Sequence, residues 1–247
     1  MMRDNKNGKL ETRKGELELR RGEHELRKGE LKLRRGELKL RRGERVRSPL
    51  VSNGERLSEP AYKNLKIYDF LNILSSTSPM PGGGVVVSFV AANAVNLSLK
   101  VINLSIGKKK FIKYDKLLKK SKSELEVIND KFLNLMDEDA LAFKSMEEAY
   151  KMPKDIKEEI LKKEKALQKA YKICIKPVIE VIKLCNKVLI INKKVVDKTT
   201  TLARSDIYIS DILIKSCIES SIENIKINTN FMKDKNYVSK INKKLGI

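Results

Sequence analysis

The sequence has no Trp, aromatics make up only 5% of its 247 residues, and there are just 12 Gly and 6 Pro. A β-sandwich or barrel needs glycine- and proline-rich turns and aromatic strand pairs, so this composition disfavours both. The single histidine, His24, falls in a repetitive N-terminal segment. Imidazole catalysis and His-rich metal sites are thereby excluded from the rest of the chain, where acid–base work falls to carboxylates, Lys, Tyr or water. The three cysteines, Cys174, Cys185 and Cys217, form no C-x-x-C pair, as expected of buried, reduced thiols in a cytosolic protein. The charged N-terminus lacks the apolar stretch of a signal peptide.

Between Phe70 and Leu99 no residue is charged. Pro79, Pro81 and Gly82-Gly83-Gly84 interrupt that run, and its apolar remainder, from Val85 to Leu99, contains Asn93, Asn96 and Ser98. A spanning helix wants about 20 mainly apolar residues. A buried core helix is the expectation, with no membrane span.

The net charge is +21, of which residues 1–50 contribute +8. Excess basic charge suits nucleic acid, an anionic membrane or a polyanionic small molecule, and it equally suits a solvated lysine-rich surface. Within those 50 residues Gly recurs at 8, 15, 22, 29, 36 and 43, a strict period of seven. Leucines two apart (Leu31 and Leu33, Leu38 and Leu40) do not make a coiled-coil seam. Each helical Gly costs about 1 kcal/mol relative to Ala. Residues 1–60 therefore read as a basic heptad-repeat tail and linker, weakly helical or disordered, whose nearly identical units suggest recent duplication. Non-specific attraction to nucleic acid or anionic lipid is the functional alternative for the tail.

Residues 61–247 read as an all-α domain, a bundle of about six to eight helices. A short amphipathic helix covers Leu65 to Leu74, and the core helix opens at Gly82 and runs to about Ile106, where Gly107 suits a C-cap. A long helix from about Lys113 to Tyr150 carries Leu125, Ile128, Phe132, Leu135, Ala142, Met146 and Ala149 at three-four spacing. Asp139 is the one charged member of that stripe, with Asp137 and Glu138 off the face. A carboxylate in core phase must be paired, protonated or functional. Pro153 restarts a helix that runs to about Tyr171, and Pro177 marks entry to another ending near Asn192. A further helix runs from about Thr200 to Ser221, in which Leu202, Ile209 and Leu213 bracket Asp206 and suggest a second inward carboxylate. A last short helix follows Asp234.

Glycines before a helix allow close approach of a ligand to free backbone N–H groups, and they equally allow tight helix packing. No Gly-Lys-Ser/Thr follows Gly84 and no strand precedes it, so neither a P-loop nor a dinucleotide fingerprint is present. Lys108, Lys109 and Lys110 suit a solvated connection or a ligand with several carboxylates.

Taken in order, Ser78-Pro-Met-Pro-Gly-Gly-Gly, Asn103-Leu-Ser-Ile-Gly-Lys-Lys-Lys-Phe, Asp137-Glu-Asp-Ala-Leu-Ala-Phe, Arg204-Ser-Asp206 and Glu223-Asn-Ile-Lys-Ile-Asn228 resemble the cyclodeaminase/cyclohydrolase family of folate one-carbon enzymes. The resemblance covers about Leu65 to Asp234. It implies a cytoplasmic all-α homodimer that binds tetrahydrofolate, or its polyglutamylated form, as substrate, with no tightly bound cofactor and no metal. The implied activity is conversion of 5-formimino-tetrahydrofolate to 5,10-methenyl-tetrahydrofolate and ammonia, hydrolysis of the methenyl form, or both. It further implies catalysis by Asp139 with help from Asp206, and substrate binding by Pro81, Gly82, Gly83, Gly84, Asn103, Ser205 and Lys108 to Lys110. Val85-Val86-Val87 depart from the family's usual Ser and small residues, Met80 replaces a common Thr, and Ile207-Tyr208-Ile209 stand where small residues are usual. A catalytically silent binding or scaffold protein of the same fold, or a nucleic-acid-associated protein acting through the tail, are the alternatives.

Overall fold

A computed structural model describes residues 62–246; the repeat tail and linker expected over 1–60 lie outside the described residues. Six α-helices follow one another: α1 (Ile67–Leu74), α2 (Gly83–Ser105), α3 (Asp115–Lys151), α4 (Lys157–Val195), α5 (Arg204–Asn230) and α6 (Lys235–Leu245). Among the described residues there is no strand. The all-α bundle expected from the composition is what the described residues form.

The four long helices run up and down, each antiparallel to the next. Helix α2 packs on α3 and α5, α4 packs on the same two, and α2 and α4 sit on the diagonal. The short connections 106–114 and 152–156 leave no alternative to antiparallel neighbours. Helix α2 is long and apolar enough to cross a bilayer, yet it is the core helix: Val85, Ala91, Ala94, Val95, Val101 and Ile102 have no exposed surface. It ends where Gly107 takes a left-handed φ of 73° and donates its N–H to Asp115 at 2.9 Å, the glycine C-cap read from the sequence.

The expected break at Pro177 does not occur, and α4 is a single helix of 39 residues. Proline removes one intrahelical hydrogen bond, a loss of roughly 3 kcal/mol in an isolated helix. Here Pro177 is buried among Ile175, Val178, Ile179 and Val181, and packing along both flanks outweighs it. The phase expected for α5 is also corrected. Its buried stripe is Ile207, Ser210, Ile214, Cys217, Ser221 and Ile225, while Leu202 is 95% exposed and Ile209 46%. Isoleucines at 207, 209, 212 and 214 supply two competing stripes, and only the neighbouring helices select one.

Helix α2 is much shorter than α3 and α4, and that mismatch positions the site. Beside α2 the core is built on Leu118, Leu125, Phe132, Leu184, Val188 and Ile214. Beyond its N-terminus α3, α4, α5 and α6 close a second core around Met146, Ile175, Ile225 and Met232. A third cluster, Tyr62, Phe70, Val85, Met136 and Ala140, lies under α1. The first turn of α2 stands where the three meet.

Candidate active site

The approach to α2 is a tight turn: Ser78 donates to the Met80 carbonyl at 2.6 Å, the Met80–Pro81 peptide is cis, and Pro81 is buried. Gly82 is the N-cap, in extended conformation, and has no side chain with which to satisfy the free N–H groups of the first turn. The carboxylate of Asp139, from the middle of α3, accepts the backbone N–H of Val85 instead. One helix thus caps another across the bundle.

The contact explains the glycine that allows it. A Cβ on Gly84 would lie 2.3 Å from Oδ1 of Asp139 and 2.5 Å from both Cγ and Oδ2. No side chain fits between the helix and the carboxylate. A Cβ on Gly83 would meet nothing within 4 Å, and Gly83 is exposed, so the turn is open to solvent on that side. Burial pushes the Asp139 carboxyl up to about 6, against the opposing pull of the Val85 N–H. A carboxyl at that value changes protonation near neutrality, as a group that both accepts and returns a proton must.

The other two acids of this segment do different work. Asp137 accepts the Tyr62 N–H at 2.8 Å and faces Lys63 at 3.8 Å; burial raises its pKa despite both. It fastens the turn at Tyr62–Asn64 to α3. Glu138 is exposed.

The remaining sequence-predicted residues gather at the other end of α2. Asp206, in the first turn of α5, pairs with Lys100 at 2.9 Å. It faces α2 rather than Asp139, and Ser205 beside it is exposed. Asn103 lines an open polar groove between α2 and α3 with Asn96, Lys100, Glu126, Asn129 and Asp130. Lys108, Lys109 and Lys110 are exposed just past the C-terminus of α2. At 1.5 Å per residue, Lys100 lies about 24 Å along α2 from Gly84, and the three lysines follow its last residue, Ser105, which lies about 32 Å away. The structure joins Gly82–Gly84 to Asp139 and separates both from Asn103, Ser205, Asp206 and the lysines. Among the described residues no three His, Cys, Asp or Glu side chains converge as metal ligands.

A sequence model of the formiminotransferase-cyclodeaminase family matches residues 66–246. The chain belongs to that family. It is 26% identical over 182 residues to a methenyltetrahydrofolate cyclohydrolase of Methylorubrum extorquens, covering 74% of this chain and 88% of that protein. It is 24% identical over 194 residues to the formimidoyltransferase-cyclodeaminase of Gallus gallus, covering 78% of this chain and 36% of the bird protein. The fold resembles the crystal structure of a formiminotetrahydrofolate cyclodeaminase from Thermotoga maritima, with a TM-score of 0.67 at 23% identity, over 74% of this chain and 88% of that one.

The residue after the three glycines is Val85. The structure separates two roles at this position. The backbone N–H serves Asp139, while the side chain, fully buried, packs with Tyr62, Phe70, Met136 and Ala140. Exchanging the side chain leaves the donor in place. Sequence reasoning missed Lys100, the partner of Asp206, because nothing in a lysine-rich chain distinguishes it. It also missed the inner wall behind Asp139, formed by Pro177 of α4 with Ser221 and Asn224 of α5.

Proposed function

We propose that this protein is a folate one-carbon enzyme, with Asp139 as its general acid–base and a formimino- or methenyl-tetrahydrofolate as its substrate. The observation that carries the reading is the joining of Asp139 to the first turn of α2. The two motifs are 55 residues apart in sequence, and together they hold one partly buried carboxyl near neutral pKa. Membership of the family and the named relatives supply the substrate class.

In cyclodeamination N10 attacks the carbon of the protonated formimino group, Asp139 takes the N10 proton, and that proton passes to the formimino nitrogen, which leaves as ammonia and yields the methenyl cation. In the hydrolytic direction Asp139 takes a proton from the water that attacks the methenyl carbon, and N5 is protonated as its bond to that carbon breaks. The same base at the same place serves both reactions, and neither transfers electrons, so no tightly held cofactor is required.

The proposal includes a homodimer. In one protomer Asp206, Ser205, Asn103 and the three lysines lie too far from Asp139 to touch the same reacting atoms. Apposing two copies end to end along α2 would bring one lysine cluster beside the other copy's Asp139, where it could receive the glutamate carboxylates of the substrate. We place the enzyme in the cytoplasm, in keeping with three free cysteines.

Incubation of the purified protein with 5-formimino-tetrahydrofolate, followed by methenyl absorbance and ammonia release, tests the deaminase. The same protein given methenyl-tetrahydrofolate tests the hydrolase. Turnover of either that survives Asp139→Asn at the full wild-type rate overturns the assignment of Asp139.

A further inference from the structure

Behind the Asp139 carboxylate, between α2, α3, α4 and α5, lies a small cavity bounded by Gly84, Ser88, Asp139, Pro177, Ser221 and Asn224. It has room for about one water molecule, far too little for any part of a folate. Val87, Val178 and Val181 complete a mostly apolar lining, into which Ser88, Asp139, Ser221 and Asn224 bring the polar groups. The Ser88 hydroxyl is satisfied, donating to the Gly84 carbonyl at 3.1 Å. The Ser221 hydroxyl is not: the residue is 1% exposed and its Oγ has no hydrogen-bond partner among protein atoms. A hydroxyl left bare in a core is costly, and a single bound water removes that cost where it finds polar partners. Asp139 accepts the Val85 N–H, whereas an ionised carboxylate offers about four acceptor positions.

We propose that an ordered water fills this cavity, held by Ser221 and donating to Asp139, so that Ser221 is a positioning residue for the carboxylate. This rests on the reading of Asp139 as the acid–base group. Ser221 donates to the water and the water donates to the ionised carboxylate. When Asp139 takes a proton, hydroxyl and water rotate, and the water accepts from the new carboxylic acid. No bond other than hydrogen bonds changes. The relay holds the carboxylate from the closed side of the bundle and leaves its other side for substrate at the open Gly83 turn. It favours the ionised form against the burial that opposes it, and so keeps the base usable at neutral pH. The other groups facing Asp139 are uncharged: the α2 first turn offers a backbone N–H, α5 offers Ser221 and Asn224, and α4 offers Cys174, whose thiol burial pushes up to about 11.

The test is the pH dependence of turnover in Ser221→Ala and Ser221→Cys, the second keeping the volume with a much weaker donor. Loss of one hydrogen bond to the ionised form raises the pH at which activity sets in by about 0.5–1 unit, with the plateau rate nearly unchanged. A high-resolution crystal structure of the wild-type protein should show a water within hydrogen-bond reach of both Ser221 Oγ and the Asp139 carboxylate. A dry cavity overturns the proposal, as does an unmoved acid limb in whichever variant folds. The reading beneath it fails separately: Asp139→Asn with full turnover removes the acid–base assignment, whereas an inactive Asp139→Asn with an unmoved limb in the Ser221 variants removes the water alone.

Discussion

Replacing Gly84 by Ala adds one methyl group at the place where the helix and the carboxylate leave no room. The new Cβ would stand 2.3–2.5 Å from three atoms of Asp139, and real Cβ contacts stay beyond about 3 Å. Those three atoms end a short side chain, so the relief is rotation of the carboxylate away from α2 rather than displacement of backbone. Rotation forfeits the Val85 hydrogen bond, which to a charged acceptor contributes about 1.5–3 kcal/mol. Opposing this, Gly→Ala in a helix gains up to about 1 kcal/mol, and a carboxyl turned toward solvent escapes part of its burial penalty. The net loss of stability should be under about 2 kcal/mol. Activity responds differently, because misplacing a catalytic group by about 1 Å lowers turnover roughly 100-fold. Gly84→Ala should therefore keep most of its unfolding free energy in urea while losing at least that factor in kcat with the folate substrate. Gly83→Ala, with nothing within 4 Å, is the matched control and should keep both. Near-wild-type kcat in Gly84→Ala would refute the claim that this close approach positions the base.

Asp139→Asn should be inactive yet more stable above neutral pH. The folded carboxyl sits near 6 against 3.8 in a free chain, so ionisation opposes folding. The stability it withholds is absent below about pH 4, grows as pH rises through 6, and reaches at most about 3 kcal/mol. Thermal melts of mutant and wild type should coincide at pH 4 and separate at pH 8, with the mutant higher; coincidence at both values refutes the raised carboxyl. Asp206→Asn removes the pair with Lys100, whose side chain is 60% exposed, and should change stability by less than about 1 kcal/mol. A loss of kcat well beyond that in the same variant, measured in a confirmed dimer, is the outcome expected if a partner's Asp139 needs this end of the bundle. Replacing Lys108, Lys109 and Lys110 together by Ala should raise KM for polyglutamylated substrate and leave the monoglutamate nearly unaffected; equal KM changes for both would remove the lysines from the tail site.

Much of the candidate site can be read along single helices, and the rest cannot, for a reason visible in particular residues. The three-four spacing from Leu125 to Ala149 defines the buried face of α3 and puts Asp139 on it, because one helix obeys one period. Gly107 reads as a C-cap because only glycine takes φ of 73° without strain. The same local logic goes astray at Pro177, where a proline that would end an isolated helix is carried by packing on both sides. It goes astray again in the phase of α5, where isoleucines on two faces give no unique stripe and Leu202 and Ile209 prove exposed. Ser221 and Asn224 carry no local signal at all; they matter only through the carboxylate they stand behind.

The sequence by itself determines that the described chain is helical, where most of its helices begin and end, and that it carries both a triple glycine before one helix and a core-phase aspartate in the next. Those properties follow from spacings within one helix and from residues that stop it. Only the tertiary structure decides that Gly84 and Asp139 touch, that a backbone N–H rather than the Val85 side chain serves the carboxylate, and that the lysines and Asp206 lie at the far end. Each depends on the antiparallel register of α2 against α3 and α5, which is set by how side chains from several helices interlock and is written in no single stretch of the chain.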